Sequence, residues 1–294
     1  ISNPDREKKG NFRLTLRKSS IVGMDLGLER LDRRDPEFGI DFAHMHLYGM
    51  SAFVEDFTID GQAIYTSIER LAARERSGFE LERLSGRFYM TQGCLGFEDT
   101  EILTRRSEIH IPYISLVGNS WDDYREFVDE VRIDAAVRRS KVSTDDIAYF
   151  APSLRDWHLT FDGADLELTG EVADFTGRIR SLTVDERTSL TGTLAIRGLP
   201  DIRKTRFDID LTRLRSTARA LDRVALGITG HRLPESVTSV AERSGRIDLG
   251  ARFVGSLSAF DLRLGVETGV GKVEGALALA PRGKGLSSVR GEVL

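Results

Sequence analysis

Apolar and polar residues alternate along most of this chain. Phe12, Leu14 and Leu16 are each separated by a charged or hydroxyl residue, and the same period of two returns many times after residue 160. A period of two is typical of a β-strand with one buried face. Asp60 and Gly61 stand between two such runs, which predicts a hairpin. The pattern predicts about twenty one-faced strands along the chain.

Three short helices are predicted to interrupt the strands. Residues 120–131 carry apolar side chains at helical spacing, with Ser120 placed to cap the first turn. Residues 145–150 form a second helical segment that Pro152 ends, and residues 234–240 form a third that begins at a proline. Residues 225–228 are predicted to be a strand.

So many one-faced strands need a partner for their apolar faces, because open sheets rarely exceed about ten strands without curling or splitting. The sequence therefore predicts a mainly β fold in one of two arrangements. In a sandwich or barrel the apolar faces cover each other. In a long curled antiparallel sheet the apolar face lines a groove, and lipid acyl chains are the filler that suits it; twenty strands would extend on the order of 100 Å.

Composition excludes some classes of function but adds little about the fold. The chain has 294 residues, 40% of them hydrophobic and 30% charged, as expected for a folded protein. Its net charge is −4 with no basic block, which argues against nucleic-acid binding. No apolar run approaches the roughly 18 residues of a membrane-spanning helix. The sequence begins at Ile1 rather than Met, and we interpret it as a piece of a longer protein.

Candidate catalytic and metal-binding residues are few. His44 and His46 would share one strand face but lack a third ligand nearby, and Cys94 is the single cysteine, with no histidine close in sequence. Asp122–Asp123 and Asp145–Asp146 each stand at a predicted helix start, where carboxylates stabilise the helix dipole. The sequence therefore predicts no enzyme, no metal site and no cofactor.

An ordered series of motifs covers the chain from about residue 40 onward. Its members are Arg76-Ser77-Gly78-Phe79, Leu81, Leu84-Ser85-Gly86, Thr144 to Pro152 with Asp146-Ile147-Ala148-Tyr149-Phe150, Leu190-Thr191-Gly192-Thr193-Leu194, Gly198-Leu199-Pro200-Asp201-Ile202, Thr205, Phe207, Leu233-Pro234, Gly245-Arg246-Ile247, Gly255, Phe260, Thr268 and Gly271. This series resembles the TamB-like proteins of Bacteroidetes-type bacteria, translocation and assembly module subunits related to the AsmA-like group. The family's amino-terminal membrane helix and carboxy-terminal conserved domain are absent from the sequence, and arginine is unusually frequent.

The resemblance implies a repeating β-groove in the periplasm, whose parent protein is anchored in the inner membrane. Such a groove conducts phospholipids toward the outer membrane and supports outer-membrane biogenesis, in some cases with an Omp85-type outer-membrane barrel as partner. On this reading residues 1–118 and 161–294 are groove segments, and residues 119–160 are a helical seam with one strand.

Thirteen apolar residues are the candidates for lining the groove. They are Leu166, Leu168, Val172, Leu194, Ile196, Phe207, Ile209, Leu211, Leu249, Phe253, Phe260, Leu262 and Leu264. Two other functions stay open. One is an assembly or scaffolding factor for outer-membrane or secreted proteins, acting through exposed β edges. The other is an extracellular β-sandwich adhesion module.

Overall fold

A single antiparallel sheet makes up most of the protein. The computed structural model describes residues 12–29, 37–41, 44–120, 123–171, 173–199, 201–202, 204–233, 247–268, 271–282 and 286–293. Fifteen strands form one sheet in which each strand pairs with its neighbours in sequence. The strands are β1 Arg13–Gly27, β2 His46–Asp60, β3 Ala63–Glu75, β4 Glu80–Thr91, β5 Cys94–Thr104, β6 Glu108–Val117, β7 Arg132–Ser143, β8 Thr160–Glu171, β9 Asp174–Val184, β10 Thr188–Arg197, β11 Arg206–Ser216, β12 Ile247–Ser256, β13 Ala259–Thr268, β14 Gly271–Arg282 and β15 Leu286–Val293.

This topology confirms the mainly β fold and the long curled sheet. The sheet is curled but unclosed, and because all fifteen strands belong to it, the described chain has no second sheet to complete a sandwich. Its described strands lie in all three predicted segments (residues 1–118, 119–160 and 161–294), with β7 in the middle one. Fifteen strands at about 4.8 Å extend about 70 Å, less than the sequence pattern predicted.

The predicted number of strands was too high because several predicted strands merge or do not form. The runs around Leu14 and Leu26 belong to one fifteen-residue strand, β1. His44 and His46 were expected on one face of a strand, but only His46 lies in β2. His44 is buried in the preceding connection.

β-Bulges explain how a sheet this wide curls. The pairing register shifts between β2 and β3 next to Asp56, between β4 and β5 next to Asp99, and between β7 and β8 next to Arg139. All three residues have positive φ, between 45° and 51°. A bulge adds one residue to one strand, which bends that strand and increases its twist. Repeated bulges therefore bend the sheet progressively across its width.

Connections alternate between the two ends of the strands, because successive strands are antiparallel. We call the edge of the sheet that holds the connections after odd-numbered strands the upper rim. The edge that holds the connections after even-numbered strands is the lower rim. The upper rim carries helix α2 (Thr144–Ile147), a 3-10 turn at Pro152–Leu154 and helix α3 (Ala218–Thr229). The lower rim carries a 3-10 turn at Asp123–Glu126 followed by helix α1 (Phe127–Glu130).

Helix α3 replaces the strand predicted at residues 225–228. Thr217 caps its first turn by accepting a hydrogen bond from Ala220 N, and Gly230 ends it in the left-handed conformation with φ 73°. Both cap types are strong helix signals, and they outweigh the short apolar run that had indicated a strand. The helix predicted at residues 234–240 lies outside the described residues.

The other two predicted helices exist in shorter form. Asp123 accepts hydrogen bonds from Asn119 N at 2.6 Å and from Ser120 Oγ at 2.8 Å, and the Ser120 hydroxyl bond is the main reason that the pKa of Asp123 falls below its ordinary value. In this contact the Ser120 hydroxyl donates to Asp123, so the capping role predicted for Ser120 stays a prediction. Helix α2 spans only four residues, with Ser143 as its cap.

Several of the most deeply buried side chains lie at the upper rim, although Val131 and Thr205 at the lower rim are also 0% exposed. Thr144 is 0% exposed, Ala148 1% and Leu159 2%. Three other connections converge on this segment. Thr104 and Ser107 of the β5–β6 turn each donate to Asp146 Oδ2 at 2.6 Å, which ties the turn to α2.

Aromatic contacts extend the same cluster along the rim. Phe79 of the β3–β4 turn packs against Tyr149 and Phe150, with ring centroids 5.6 and 5.1 Å apart. Phe38 of the β1–β2 connection stacks on Tyr149 at 5.5 Å, and Ile40 N donates to Tyr149 O at 2.7 Å. Strands β2 and β7 would lie about 24 Å apart in a flat sheet, so these contacts hold distant strands together at their upper ends.

Candidate functional site

One face of the sheet is apolar across most of its width. Residues directly opposite each other in an antiparallel pair place their side chains on the same face, so each register defines a cross-strand ladder. One ladder takes a residue from every strand from β1 to β13, and every member is apolar or glycine. Its members are Leu14, Ile59, Ile64, Met90, Leu95, Leu116, Ile133, Gly170, Phe175, Ile196, Phe207, Gly255 and Phe260.

Two further ladders widen this apolar face. The second runs from β4 to β13 through Phe88, Phe97, Ile114, Ala135, Leu168, Gly177, Leu194, Ile209, Phe253 and Leu262. The third runs from β7 to β13 through Val137, Leu166, Ile179, Gly192, Leu211, Ala251 and Leu264. None of the three ladders contains a charged residue. We call the surface formed by these ladders the apolar face.

The predicted lining residues all fall on the apolar face where they are described. Eleven belong to the three ladders, and Leu249 pairs with Leu214 and lies two residues from Ala251 on the same strand. Each of these twelve side chains is half-buried. Val172 lies outside the described residues. The structure therefore brings the set together on one surface, and its contact with lipid stays a prediction.

The ladders also contain apolar residues that the sequence analysis did not select. Ile59, Met90, Leu116 and Ile133 continue the first ladder through the strands before β8. Phe88 and Phe97 belong to the second, with their rings 5.1 Å apart. These strands show the same alternation of period two as the strands after residue 160, so the pattern that selected the later candidates could also have selected these residues.

Glycine and phenylalanine shape the surface of the apolar face. Gly177 sits between Leu168 and Leu194, and a Cβ there would lie 2.8 Å from Leu168 Cδ2 and 3.1 Å from Leu194 Cδ1. The two leucines therefore close over the glycine. Phe253 stacks near Phe260 at 4.9 Å and near Phe207 at 6.4 Å. The result is a continuous hydrocarbon surface over these strands.

The opposite face is polar and carries ion pairs between neighbouring strands. Glu167 accepts from Arg138 at 2.6 Å and Arg180 at 2.8 Å, and these hydrogen bonds, Arg180's first, lower the pKa of Glu167. Asp248 binds Arg213 and Arg215 at 3.1 and 2.8 Å, which likewise lowers its pKa. This face keeps charges in water while the apolar face excludes them.

Two open depressions of about 700 and 1060 Å³ lie mainly on the polar face. Asp134, Arg178 and Asp208 line the first, and Arg213, Asp248 and Arg263 line the second. A twisted sheet is saddle-shaped, so each of its faces is concave along one diagonal. On β8–β13 most apolar-face side chains are half-buried, whereas Asp208, Arg213 and Arg263 on the polar face are exposed.

Candidate catalytic and metal-binding residues are separated by the fold. His44 Nδ1 lies 2.7 Å from Asp41 Oδ2, whereas His46 Nε2 lies 3.1 Å from Glu29 Oε1. Cys94 is the first residue of β5, with its sulfur 3.6 Å from Ser115 Oγ. Among the described residues no group of three or more His, Cys, Asp or Glu side chains could hold a metal ion.

The two carboxylate pairs differ in their environments. Asp122 lies outside the described residues, and Asp123, the first residue of the 3-10 turn, accepts hydrogen bonds from Asn119 and Ser120. Asp145 pairs with His158, its Oδ1 2.8 Å from His158 Nδ1. Asp146 instead is 8% exposed and bonds the β5–β6 turn, so its main contact is long-range rather than with the helix start.

Comparison with known proteins adds no relative: no protein-family model, curated protein or solved structure matches the chain. Within the described part of the chain, no helix has the length and apolar character needed to cross a membrane. The similarity to TamB-like proteins therefore stays a prediction from the sequence motifs.

Proposed function

We propose that this chain is a segment of a periplasmic TamB-like groove protein that shields phospholipid acyl chains and conducts them between the inner and outer membranes. The observation that carries the proposal is the apolar face, an uncharged surface that continues from strand to strand with no second protein layer over it among the described residues. Burying apolar surface is favourable and non-directional, so such a surface holds acyl chains without fixing them in place.

Dimensions support an extended ligand rather than a compact one. Thirteen strands at about 4.8 Å give the longest ladder a length of about 58 Å. Several acyl chains side by side are needed to cover it. Buried apolar area contributes roughly 25 cal/mol per Å², so each acyl chain gains affinity from contacts with many half-buried side chains. An acyl chain that moves along the ladders exchanges one set of apolar contacts for an equivalent set.

Native mass spectrometry with lipid extraction tests the proposal. We expect several phospholipids per chain to co-purify with the protein from a Gram-negative host in mild detergent. Ile209→Asp places a charge in the second ladder, and we expect it to reduce bound lipid strongly because an unpaired charge is costly among hydrocarbon. Thr176→Asp is the matched control, since Thr176 is exposed on the polar face.

Two results would contradict the proposal. A lipid-free wild-type protein would show that the apolar face has another partner. Equal lipid content in folded Ile209→Asp and Thr176→Asp would show that lipid is held elsewhere. Circular dichroism of each variant establishes that the sheet has formed before lipid content is compared.

The long first strand favours an assembly factor as a second candidate function. Among the described strands β1 pairs only with β2, and Leu14, Leu16 and Ile21 are 36%, 42% and 43% exposed. An extended client strand could add to this edge by β-augmentation. However, Arg17 and Lys18 on the same strand are the kind of residue that discourages edge pairing, so the lipid groove has the stronger support.

A further inference from the structure

One part of the polar face carries hydroxyl groups and tyrosine rings rather than charges. A polar ladder there runs from β1 to β6, next to the first ladder of the apolar face but on the opposite side of the sheet. Its members are Thr15, Thr58, Tyr65, Tyr89, Gly96 and Ser115. We call it the hydroxyl ladder. None of its members is charged, whereas from β7 onward the same ladder contains Asp134, Asp208 and Asp261.

Tyr89 reaches across to the neighbouring strand. It is directly opposite Gly96 of β5, and a Cβ at that glycine would lie 2.7 Å from Tyr89 Cε1 and closer still to its Cζ. The end of the ring therefore lies over the buried glycine, so that the ring bridges β4 and β5. Tyr89 is half-buried, as expected for a ring with one side on the sheet and the other in solvent.

Tyr65 and Tyr113 extend this aromatic surface in both directions across the sheet. Tyr65 is 45% exposed and Tyr113 40%. Tyr113 is two residues before Ser115 on β6, so it shares the face of the hydroxyl ladder. Among the described residues, none of the three tyrosine rings contacts another aromatic ring. The three rings therefore form a row over β3–β6, about 14 Å across, whose surface is not used for ring packing.

Charged side chains beside the row are held in ion pairs. Arg87, two residues before Tyr89 on the same strand, lies 3.1 Å from Glu98 and 2.6 Å from Asp99. Its guanidinium group is therefore already engaged, which disfavours an anionic ligand. An uncharged ligand rich in hydroxyl groups matches the row, because tyrosine, serine and threonine hydroxyls both donate and accept hydrogen bonds.

The row continues into the first of the two open depressions of the polar face. Tyr113 lines this depression together with Asp134, Thr169 and Thr176, and Asp134 is directly opposite both Ser115 and Thr169. Rings and hydrogen-bonding groups therefore follow each other along one line across the strands. From β3 to β9 this line is about 29 Å long, which fits an extended chain rather than a compact molecule.

We propose that the row of Tyr65, Tyr89 and Tyr113 binds a linear, uncharged polysaccharide with β-1,4-linked pyranose rings. The face of an aromatic ring is negative, and the C–H groups on the face of a pyranose ring carry partial positive charge, so the two faces attract. Equatorial linkages keep successive sugar rings in one plane, which suits tyrosine rings mounted on one face of a sheet. Asp134 and Thr169 accept hydrogen bonds from sugar hydroxyls at the end of the row.

The row and the apolar face lie on opposite sides of the sheet. Lipid on the apolar face therefore does not reach the row, and the polysaccharide is bound independently of the proposed lipid.

Isothermal titration calorimetry with two hexasaccharides of glucose tests the proposal. Cellohexaose is β-1,4-linked and extended, whereas maltohexaose has the same composition but α-1,4 linkages that curl the chain. We expect the protein to bind cellohexaose about tenfold more tightly than maltohexaose, since only the extended chain contacts all three rings. Equal affinities for the two, or no binding of cellohexaose by the folded protein, would overturn the proposal.

Tyrosine truncations locate the binding surface. Tyr65→Ala and Tyr113→Ala should each weaken cellohexaose binding about fivefold, equivalent to about 1 kcal/mol. Tyr48→Ala is the matched control, for which we expect no change: Tyr48 is 46% exposed but lies ten residues from Thr58 along β2, about 30 Å from the row. Unchanged affinity in both row variants, or an equal loss in Tyr48→Ala, would contradict the assignment.

Gly96→Ala tests the position of the Tyr89 ring. The φ angle of Gly96 is not positive, so alanine fits the backbone, but its Cβ displaces the ring. We expect Gly96→Ala to lose cellohexaose affinity as Tyr89→Ala does, about fivefold, with an unchanged circular dichroism spectrum. Wild-type affinity in both variants would show that the ring over Gly96 does not contact the sugar, and the proposed row would be wrong.

Phospholipid content separates this proposal from the lipid groove. Tyr65→Ala and Tyr113→Ala should leave the amount of bound phospholipid unchanged, because both side chains lie on the polar face. Loss of phospholipid together with cellohexaose in these variants would show that the two ligands share one surface, and would overturn the assignment of the polysaccharide to the polar face. A protein that binds phospholipid but no cellohexaose would overturn the polysaccharide proposal alone.

Discussion

The upper rim and the apolar face place similar residues in very different surroundings. At the upper rim Leu159 is 2% exposed and polar groups such as Thr144 are buried with hydrogen-bond partners, Leu159 N donating to Thr144 Oγ1 at 2.9 Å. On the apolar face Leu194 and Ile209 are only half-buried in spite of their ladder neighbours. The rim is packed like a domain core, whereas the face is left partly open.

The sheet therefore has a closely packed region at the upper rim and a partly open region on the apolar face. At the upper rim residues from four connections meet, and their packed side chains stabilise the fold there. Backbone hydrogen bonds between strands stabilise the rest of the sheet, and they do not depend on which apolar side chain occupies the face. Apolar side chains of the face can therefore be exchanged for other apolar side chains at little cost to folding.

Truncation at the rim should have the largest effect on stability. Leu159→Ala removes a fully buried side chain beside Gly227 of α3 and leaves a cavity, so we expect a loss of about 2–4 kcal/mol in the free energy of unfolding. Urea denaturation followed by circular dichroism measures it. A loss below about 1 kcal/mol would mean that the rim collapses around the cavity and is not packed as a core.

Removal of the buried Asp146 carboxylate at the upper rim should have the next largest effect on stability. Asp146→Ala leaves the hydroxyls of Thr104 and Ser107 without their acceptor, and we expect a loss of about 2–3 kcal/mol. Asp145→Ala is the matched control in the same helix, because its contact with exposed His158 is worth at most about 1 kcal/mol. Equal losses in the two variants would show that the long-range bonds of Asp146 contribute nothing specific.

The same leucine truncation on the apolar face should be milder in the lipid-free protein. Leu194→Ala removes a half-buried side chain, so we expect a loss of about 1 kcal/mol, well below that of Leu159→Ala. Lipid bound per chain should fall in Leu194→Ala but not in Leu159→Ala variants that remain folded. A larger stability loss for Leu194→Ala than for Leu159→Ala would reverse the comparison.

The strands could be predicted from local patterns because each strand has its own alternation of apolar and polar residues. The alternation at Leu166 and Leu168, or at Phe207 and Ile209, indicates a one-faced strand without reference to the rest of the chain. Once the strands are antiparallel neighbours, such residues must share a face. The mainly β fold and the apolar face could therefore be predicted, even though the number of strands was wrong.

Features that the sequence analysis missed depend on contacts between distant residues or on local irregularities of the strands. Phe38 and Tyr149 meet across the upper rim although they are separated by more than a hundred positions in sequence, and no local period reports that. Bulges at Asp56 and Asp99 shift the phase of the alternation within β2 and β5, so residues counted from the start of a strand change face partway along it. Helix α3 was mistaken for a strand because its apolar residues at 225–228 are contiguous.

A pH experiment on the polar face should show the smallest effect and complete the comparison. Hydrogen bonds from Arg213 and Arg215 hold the pKa of Asp248 below its ordinary value. A carboxyl whose pKa is lower in the folded state stabilises the protein above its unfolded-state pKa of about 4, and this contribution disappears as the pH falls through the lowered value. Asp248→Asn removes that contribution.

We therefore expect Asp248→Asn to be slightly less stable than wild type at pH 7 and equally stable at low pH, as measured by urea denaturation from pH 7 to pH about 2.5. Asp261→Asn is the control for loss of a carboxylate: Asp261 is exposed and has no described ion pair, so we expect a smaller loss of stability at pH 7 than in Asp248→Asn. A constant difference for Asp248→Asn would mean that this ion pair is not formed in solution. The polar face would then owe its charges to solubility alone, and the rim would be the principal source of side-chain stability.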